Sequence, residues 1–262
     1  MSKTAVITGA TSGIGAAFAR RLAVEGYDLI ITGKSHDEVG DLLDDLKKPG
    51  DINANLVIAE FSRDEDIQKV LDAVNADHNI EFLVNCAGYR GPMKPFIDSD
   101  VSDFERMIKV HQVVPVRLIS AVLPQMIERQ RGTIINVSSM AAFLPVPEIG
   151  VYGGTKSFLR FFSEVLHQEL RGKGIKIQAL CPGYTLTNFA KDSMTEDEFN
   201  KLVNSVKFLQ MSPEEVVEHS WRHLKKKSVV CIPGIKNKAM VFLLSLLPRN
   251  LYYKITAKTL DA

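Results

Sequence analysis

The chain has 262 residues, 45% apolar and 24% charged, with a formal net charge of +1. That size suits one large α/β domain or two small ones and buries a core without staples. So balanced a charge gives no bulk field toward nucleic acid or membrane, and the scattered Cys86, Cys181 and Cys231 give neither a disulfide framework nor metal-ligand spacing. Buried, reduced thiols in a reducing compartment are expected. Met1-Ser2-Lys3 leads straight into a strand-like run, without a charged-then-apolar leader. The longest apolar run, Ala239–Leu247, is about half the length of a bilayer span. A cytoplasmic protein with no integral membrane span is the expectation.

In chain order, strand-like runs fall at Thr4–Thr8, Asp28–Thr32, Asn55–Ala59, Phe82–Asn85, Thr133–Val137, Lys176–Leu180 and Ser228–Cys231. Most are unbroken apolar runs, the pattern of strands buried on both faces. Amphipathic stretches between them predict helices at Ile14–Glu25, Asp37–Leu46, Asp64–Val74, Val101–Glu128, Val151–Arg171 and Pro213–Lys226. Ser35 and Glu38 have capping-box spacing before the second helix, and Pro49-Gly50 ends it. Gly172 and Gly174 bracket the end of the long helix. Strict alternation predicts an α/β fold: a single doubly wound, Rossmann-type domain over 1–262, with a parallel sheet of about seven strands and helices on both faces. A C-terminal helix near Lys238–Thr259 is appended, within an extension over 236–262.

Thr8-Gly9-Ala10-Thr11-Ser12-Gly13-Ile14-Gly15 joins the first strand to the first helix. Glycines there let the backbone approach a pyrophosphate, and the helix N-terminus offers free amides. The strand–turn–helix setting gives the cluster its meaning, since glycines also serve ordinary turns. Tyr152 and Lys156 are four apart in a helical stretch and share one face. A free phenol with pKa near ~10 is a poor acid–base at neutral pH, and a nearby cation lowers that value.

The T-G-x-x-x-G-x-G spacing resembles the short-chain dehydrogenase/reductase family. The resemblance extends over nearly the whole chain through Asn85-Cys86-Ala87-Gly88, Ser139 followed by Tyr152 and Lys156, and Pro182-Gly183 with Thr187. It implies hydride transfer between a nicotinamide and a carbonyl or alcohol, with Tyr152 as proton donor and Lys156 reaching the nicotinamide ribose. Ser139, thirteen residues before Tyr152 at the family's spacing, would polarise the substrate oxygen; Ser138 is expected to bond backbone. His111 stands where relatives carry an Asn of the proton relay. It either joins that relay or is a buried, hydrogen-bonded histidine, and the sequence leaves both open.

By the same resemblance, Gly9, Thr11, Ser12, Gly13, Ile14, Gly15, Phe61, Asn85, Ala87, Gly88, Pro182, Gly183, Thr185 and Thr187 would line the cofactor. The family's NAD-specific members carry an acid at the position of Gly33, absent here, and Lys34 falls where NADP-binding members carry a base. Lys34 and Ser35 can pair with a 2′-phosphate while also serving as a solvated lysine and a helix cap. NADP(H) is therefore favoured over NAD(H), although Ser12, where some NADP-binding members place a base, is neutral. Glu60 replaces the family's usual Asp before Phe61.

Substrate choice is expected on Tyr89–Phe96, Ala141–Ile149 and Thr185–Met211, the last (185–211) a candidate lid. Tyr89, Phe143, Leu144, Val146, Tyr184 and Phe189 are the expected lining, suiting an apolar ketone, acyl group or ring. Cys181 is expected to be a packed strand residue, not a nucleophile. The C-terminal stripe is expected to be an ordinary packed helix first; covering the pocket and joining a subunit interface come next, and lying on an anionic membrane comes last. Relatives usually pair through the helices Val101–Glu128 and Val151–Arg171, which implies a homodimer or homotetramer. The alternative is a non-catalytic NADP(H)-binding sensor or regulator, although such relatives usually lack the tyrosine or lysine; an inactive interaction module would bind no cofactor.

Overall fold

The computed structural model describes residues 3–35, 40–47, 52–91, 93–187, 189, 196–197, 204, 207–226 and 228–257. The strands are β1 (Lys3–Ile7), β2 (Tyr27–Gly33), β3 (Ala54–Ile58), β4 (Ile80–Asn85), β5 (Gly132–Val137), β6 (Ile175–Leu180) and β7 (Val230–Cys231). They form one seven-stranded parallel sheet in the order β3-β2-β1-β4-β5-β6-β7. The chain winds outward from β1 to β3, then returns past β1 to start the other half at β4. The β1/β4 boundary is therefore the topological switch point, where strand ends open a crevice. The inner strands are buried over most of their length, as their unbroken apolar runs require; the edge strand β3 is only half-buried.

Two apolar layers sandwich the sheet. On one face lie α1 (Gly13–Val24), α2 (Gly40–Lys47) and α7 (Pro213–His223), whose core holds Phe18, Leu22 and Val216. Trp221 stacks on Phe82 of β4 at 5.7 Å. On the other face lie α3 (Asp64–Ala76), α5 (Val114–Glu128) and α6 (Gly150–Glu169), closing over Leu83, Ile134 and Ile177. Each fully buried Leu or Phe stabilises the fold by roughly 1.5–3 kcal/mol.

Three expectations change. The helix expected over Val101–Glu128 is α4 (Val101–Ile108), a π-turn at Lys109–Val113, and α5. Pro115 has no N–H to bond the His111 carbonyl four residues back, so the regular ladder cannot run through this point. Over its whole length this helix is apolar enough to cross a bilayer, contrary to the expectation from apolar runs; here Val110, Val114, Leu118 and Val122 pack it on the sheet. The expected single C-terminal helix is two, α8 (Ile235–Ser245) and α9 (Arg249–Ala257), with Pro248 between them. Of the second helix the described part is Gly40–Lys47; its expected start at Asp37, with Glu38, Pro49 and Gly50, lies outside the described residues.

Candidate active site

The cleft forms at the carboxyl ends of β1, β4, β5 and β6. Its first part is a turn of backbone. Gly9 has φ +64°, and a Cβ there would come 2.8 Å from the Ala87 Cα. Gly13 has φ +52°, and its missing Cβ would come 2.7 Å from Thr187 Cγ2. A Cβ on Gly15 would run into the Gly9 carbonyl. The turn is tied to its neighbours: Gly9 N–H donates to Thr32 Oγ1 at 3.1 Å, and Thr8 Oγ1 accepts from Cys86 N and Ala87 N at 3.0 Å each. Ser12, the N-cap residue of α1, is exposed and its side chain caps nothing. The first-turn amides of α1 are thus left to an outside acceptor. A tight glycine cradle over uncapped amides at the switch point fits a dinucleotide diphosphate.

Beyond β2, Lys34 is largely exposed and its ammonium meets Glu60 Oε2 at 3.2 Å. Glu60 also holds its neighbourhood in place: its N–H donates to Asp66 Oδ2, and Oε1 accepts from Ser62 N.

The second part of the site is built from buried side chains. Tyr152 and Lys156 lie on the inner face of α6 at 8% and 4% exposure. The Ser139 side chain faces the Tyr152 phenol and favours its ionised form, and its hydroxyl accepts from Ala141 N at 3.1 Å. Ser138 Oγ donates to the Lys156 carbonyl at 2.7 Å, a backbone tie as expected. Lys156 Nζ donates to the Val137 carbonyl at 3.0 Å. Burial lowers the Lys156 ammonium to about 8, opposed weakly by Cys86 and Cys181.

One expectation is corrected here. The sequence reading has Lys156 lowering the Tyr152 pKa. Burial instead raises that phenol, and the groups working against burial are Ser139, by hydrogen bond, and the Arg90 cation. The Lys156 ammonium lies 5.7 Å from the Tyr152 ring centroid and is turned to Val137. The three thiols are each pushed up to about 12, chiefly by burial, so none is a nucleophile at neutral pH.

His111 is fully buried, and both ring nitrogens are used. Nε2 accepts from Tyr89 N at 3.1 Å, and Nδ1 faces Thr155 Oγ1 at 2.9 Å. Thr155 donates its own proton to the Tyr152 carbonyl at 2.8 Å. A backbone N–H can only donate, so Nε2 is the bare nitrogen and Nδ1 carries the proton. The ring is neutral; burial, with the Lys156 charge, holds its pKa well below the usual histidine value. Gly88 has to be small, because a Cβ would lie 2.8 Å from His111 Nε2.

The cleft beside Tyr152 is about 140 Å³, walled by Phe96, Phe104, Met107 and Val146, with Arg90, Lys94 and Glu148 also facing it.

A family model described as short chain dehydrogenase matches residues 3–198. The chain belongs to this family. The curated relatives it matches are named as reductases and dehydrogenases. It is 33% identical over 195 residues to the very-long-chain 3-oxoacyl-CoA reductase of Bos taurus, a match covering 73% of this chain but 62% of that protein. It is 34% identical over 220 residues to the NADP-dependent 3-hydroxy acid dehydrogenase YdfG of Escherichia coli, covering 82% and 86% of the two chains. Among solved structures it resembles a short-chain dehydrogenase from Sphingobium yanoikuyae in complex with NADPH, with a TM-score of 0.80, 27% identity, and 94% and 96% coverage.

On this short-chain dehydrogenase frame, most residues singled out in the sequence converge. Gly9, Gly13, Ala87 and Thr187 meet at the glycine turn, and Ile14 and Gly15 open α1 behind it. Thr185 ties its hydroxyl to the Gly183 carbonyl and bridges to Met211. The Pro182 carbonyl receives Met140 N. Gly183 is hemmed by Asn237 and Met140. Phe61 is 5% exposed, its side chain packed in the core with Ile67 and Val70. Asn85 Nδ2 donates to Asn136, which in turn donates to Ser163, a buried chain that no motif announced.

Of the expected substrate wall, Phe143 and Tyr89 do not line this cleft: Phe143 lies under Arg160 at 4.8 Å, and Tyr89 meets His111 edge-on, ring centroids 5.7 Å apart. Val146 lines the cleft as expected, and Phe189 reaches the site, 6.1 Å from the Tyr152 ring. Most of 185–211 lies outside the described residues. Sequence reasoning covered Arg90 only as part of the segment Tyr89–Phe96 and missed Phe104, Met107 and Thr155. Only the helical spacing of Phe104 and Met107 on an amphipathic stretch signals two of them.

Proposed function

We propose that this protein is an NADP(H)-dependent reductase or dehydrogenase of an acyl chain bearing a 3-oxo or 3-hydroxy group. The observation that carries this reading is the cleft beside Tyr152, apolar along Phe96, Phe104 and Met107, where the cations Arg90 and Lys94 outnumber the acid Glu148. An apolar chain with an anionic head matches such a wall better than a sugar phosphate does. The E. coli relative's name, a 3-hydroxy acid dehydrogenase using NADP, supports both halves of the reading.

NADPH, when bound, supplies the hydride. Ser139 holds the substrate oxygen as negative charge develops on it, and Tyr152 gives that oxygen its proton. Lys156 presents its ammonium to the nucleotide ribose. The α1 amides take the diphosphate, and Lys34 exchanges Glu60 for a 2′-phosphate. Asn85, Ala87 and Gly88 set the wall behind the nicotinamide. His111 acts through neutral hydrogen bonds and not as a titrating relay member. Subunits pair through the outer faces of α5 and α6, where Val116 and Phe161 are exposed.

The test is NADPH oxidation with 3-oxoacyl thioesters and 3-oxo acids of increasing chain length, beside diketones and steroid ketones. Turnover is expected to rise with chain length. NADPH binding without turnover of any 3-oxo substrate overturns the substrate class.

A further inference from the structure

The helix α8 shows its apolar side to solvent. Ile235, Ala239, Phe242, Leu243 and Leu246 recur at i, i+4, i+7, i+8 and i+11, one stripe of a helix. Ile235, Phe242, Leu243 and Leu246 are 83%, 63%, 62% and 64% exposed. The helix is held to the body by the opposite side, through the buried Asn237 and Val241. At 100° per residue, exposed Lys236 and Lys238 fall one on each flank of the stripe. In α9, Tyr252 is buried and donates its hydroxyl to the Pro145 carbonyl at 2.9 Å, while Leu251, Tyr253 and Lys254 stay exposed.

The charge of this region is one-sided. No Asp or Glu occurs between Glu218 and Asp261, while Lys236, Lys238, Arg249 and Lys254 all do. The whole chain carries only +1, so the rest of it is net acidic and the cations are concentrated here.

We propose that α8 and α9 form a docking surface for an anionic lipid bilayer. The stripe enters the acyl–headgroup boundary, while the flanking lysines reach the headgroups. A second copy of this face is a poor occupant, since two-fold pairing would set like charges against each other across the joint. Asn237 packs against Gly183, and Tyr252 bonds the loop that carries Val146, so the docked helices border the cleft. The mouth would then open beside the apolar phase, whatever carbonyl the site reduces.

Flotation of the full chain with vesicles tests this. The protein is expected to float with equimolar phosphatidylglycerol–phosphatidylcholine vesicles at low salt and to remain behind with phosphatidylcholine alone. Phe242→Glu with Leu246→Glu should abolish flotation while NADPH oxidation in solution is unchanged. Lys236→Glu with Lys238→Glu should weaken it by roughly tenfold or more. Failure of the intact chain to float, or equal flotation by the Phe242/Leu246 variant, overturns the proposal. So does self-association that this variant dissolves in a chain that never floats.

Discussion

The two sides of the cleft are made of different material. The nucleotide side, from the glycine turn to Lys34, is mostly backbone: uncapped amides, positive φ angles, and one exposed lysine paired with Glu60. The catalytic side is side chain, and buried: Tyr152, Lys156, His111 and Thr155 reach one another from α6 and the π-turn. A backbone site needs space and dipoles, and tolerates water. A buried polar site has to satisfy every donor and acceptor, and its charges are held at a cost in stability. Substitutions on the two sides should therefore fail differently.

The largest effect is expected on the catalytic side. Tyr152→Phe removes the phenol that gives the substrate oxygen its proton and should lower kcat by about 10²–10⁴-fold. NADPH affinity, measured by nicotinamide fluorescence, should stay within about twofold. A comparable loss of affinity would show that the two sides are not separable.

The buried ammonium gives the next effect, on stability. Lys156 has a folded pKa of about 8, below its unfolded value near 10.5. Between those values the unfolded chain holds the proton and the folded chain does not, so this group makes stability rise with pH across that window. Below about 8 both states carry the proton, and the full cost of burying the cation is present. That cost is on the order of 3 kcal/mol, partly offset by the bond to the Val137 carbonyl. Lys156→Met should thus be the more stable protein at pH 7 and the less active one, with its advantage shrinking toward pH 10. Denaturant midpoints at the two pH values measure this, and an advantage that does not change with pH would remove burial as its cause.

The nucleotide side should respond in discrimination and not in folding. Lys34→Glu should raise the KM for NADPH by about tenfold or more while leaving the KM for NADH and the melting temperature nearly unchanged. Glu60→Gln should do the reverse, lowering the KM for NADPH a few-fold by releasing Lys34 from its partner. Equal changes for the two nucleotides would place the phosphate elsewhere.

The same contrast governs how much the sequence disclosed. The strands and the glycine turn were readable because both rest on local signals: unbroken apolar runs, and glycines at a strand–helix junction. Tyr152 and Lys156 were readable from helical spacing joined to a family resemblance. Arg90 was not, because a single arginine after β4 carries no pattern, and its place beside Tyr152 depends on how the loop folds back. Phe61 reads as a cofactor neighbour in sequence, and its side chain is anchored in the core between β3 and α3, a placement that no motif discloses. The outward stripe of α8 has the same spacing as an inward one, and only the buried Asn237 and Val241 show which side faces the body.

His111 sharpens the comparison with the smallest effect on activity. Its ring ties the backbone after β4 to α6 through Tyr89 N–H, Thr155 and the Tyr152 carbonyl. Asn at this position is too short to meet both partners. It leaves a buried donor or acceptor unmet, at about 1–3 kcal/mol in stability. Its effect on kcat should be only a few-fold, through looser placement of Tyr152. The shape of the pH–rate profile should not change, because a ring held neutral well below its usual pKa has no proton to lose in the working range. A profile that loses or shifts a limb in His111→Asn would instead make this histidine a titrating member of the proton path. The catalytic side would then depend on a charge change that its hydrogen bonds, with Tyr89 N–H pointing at Nε2, are arranged to prevent.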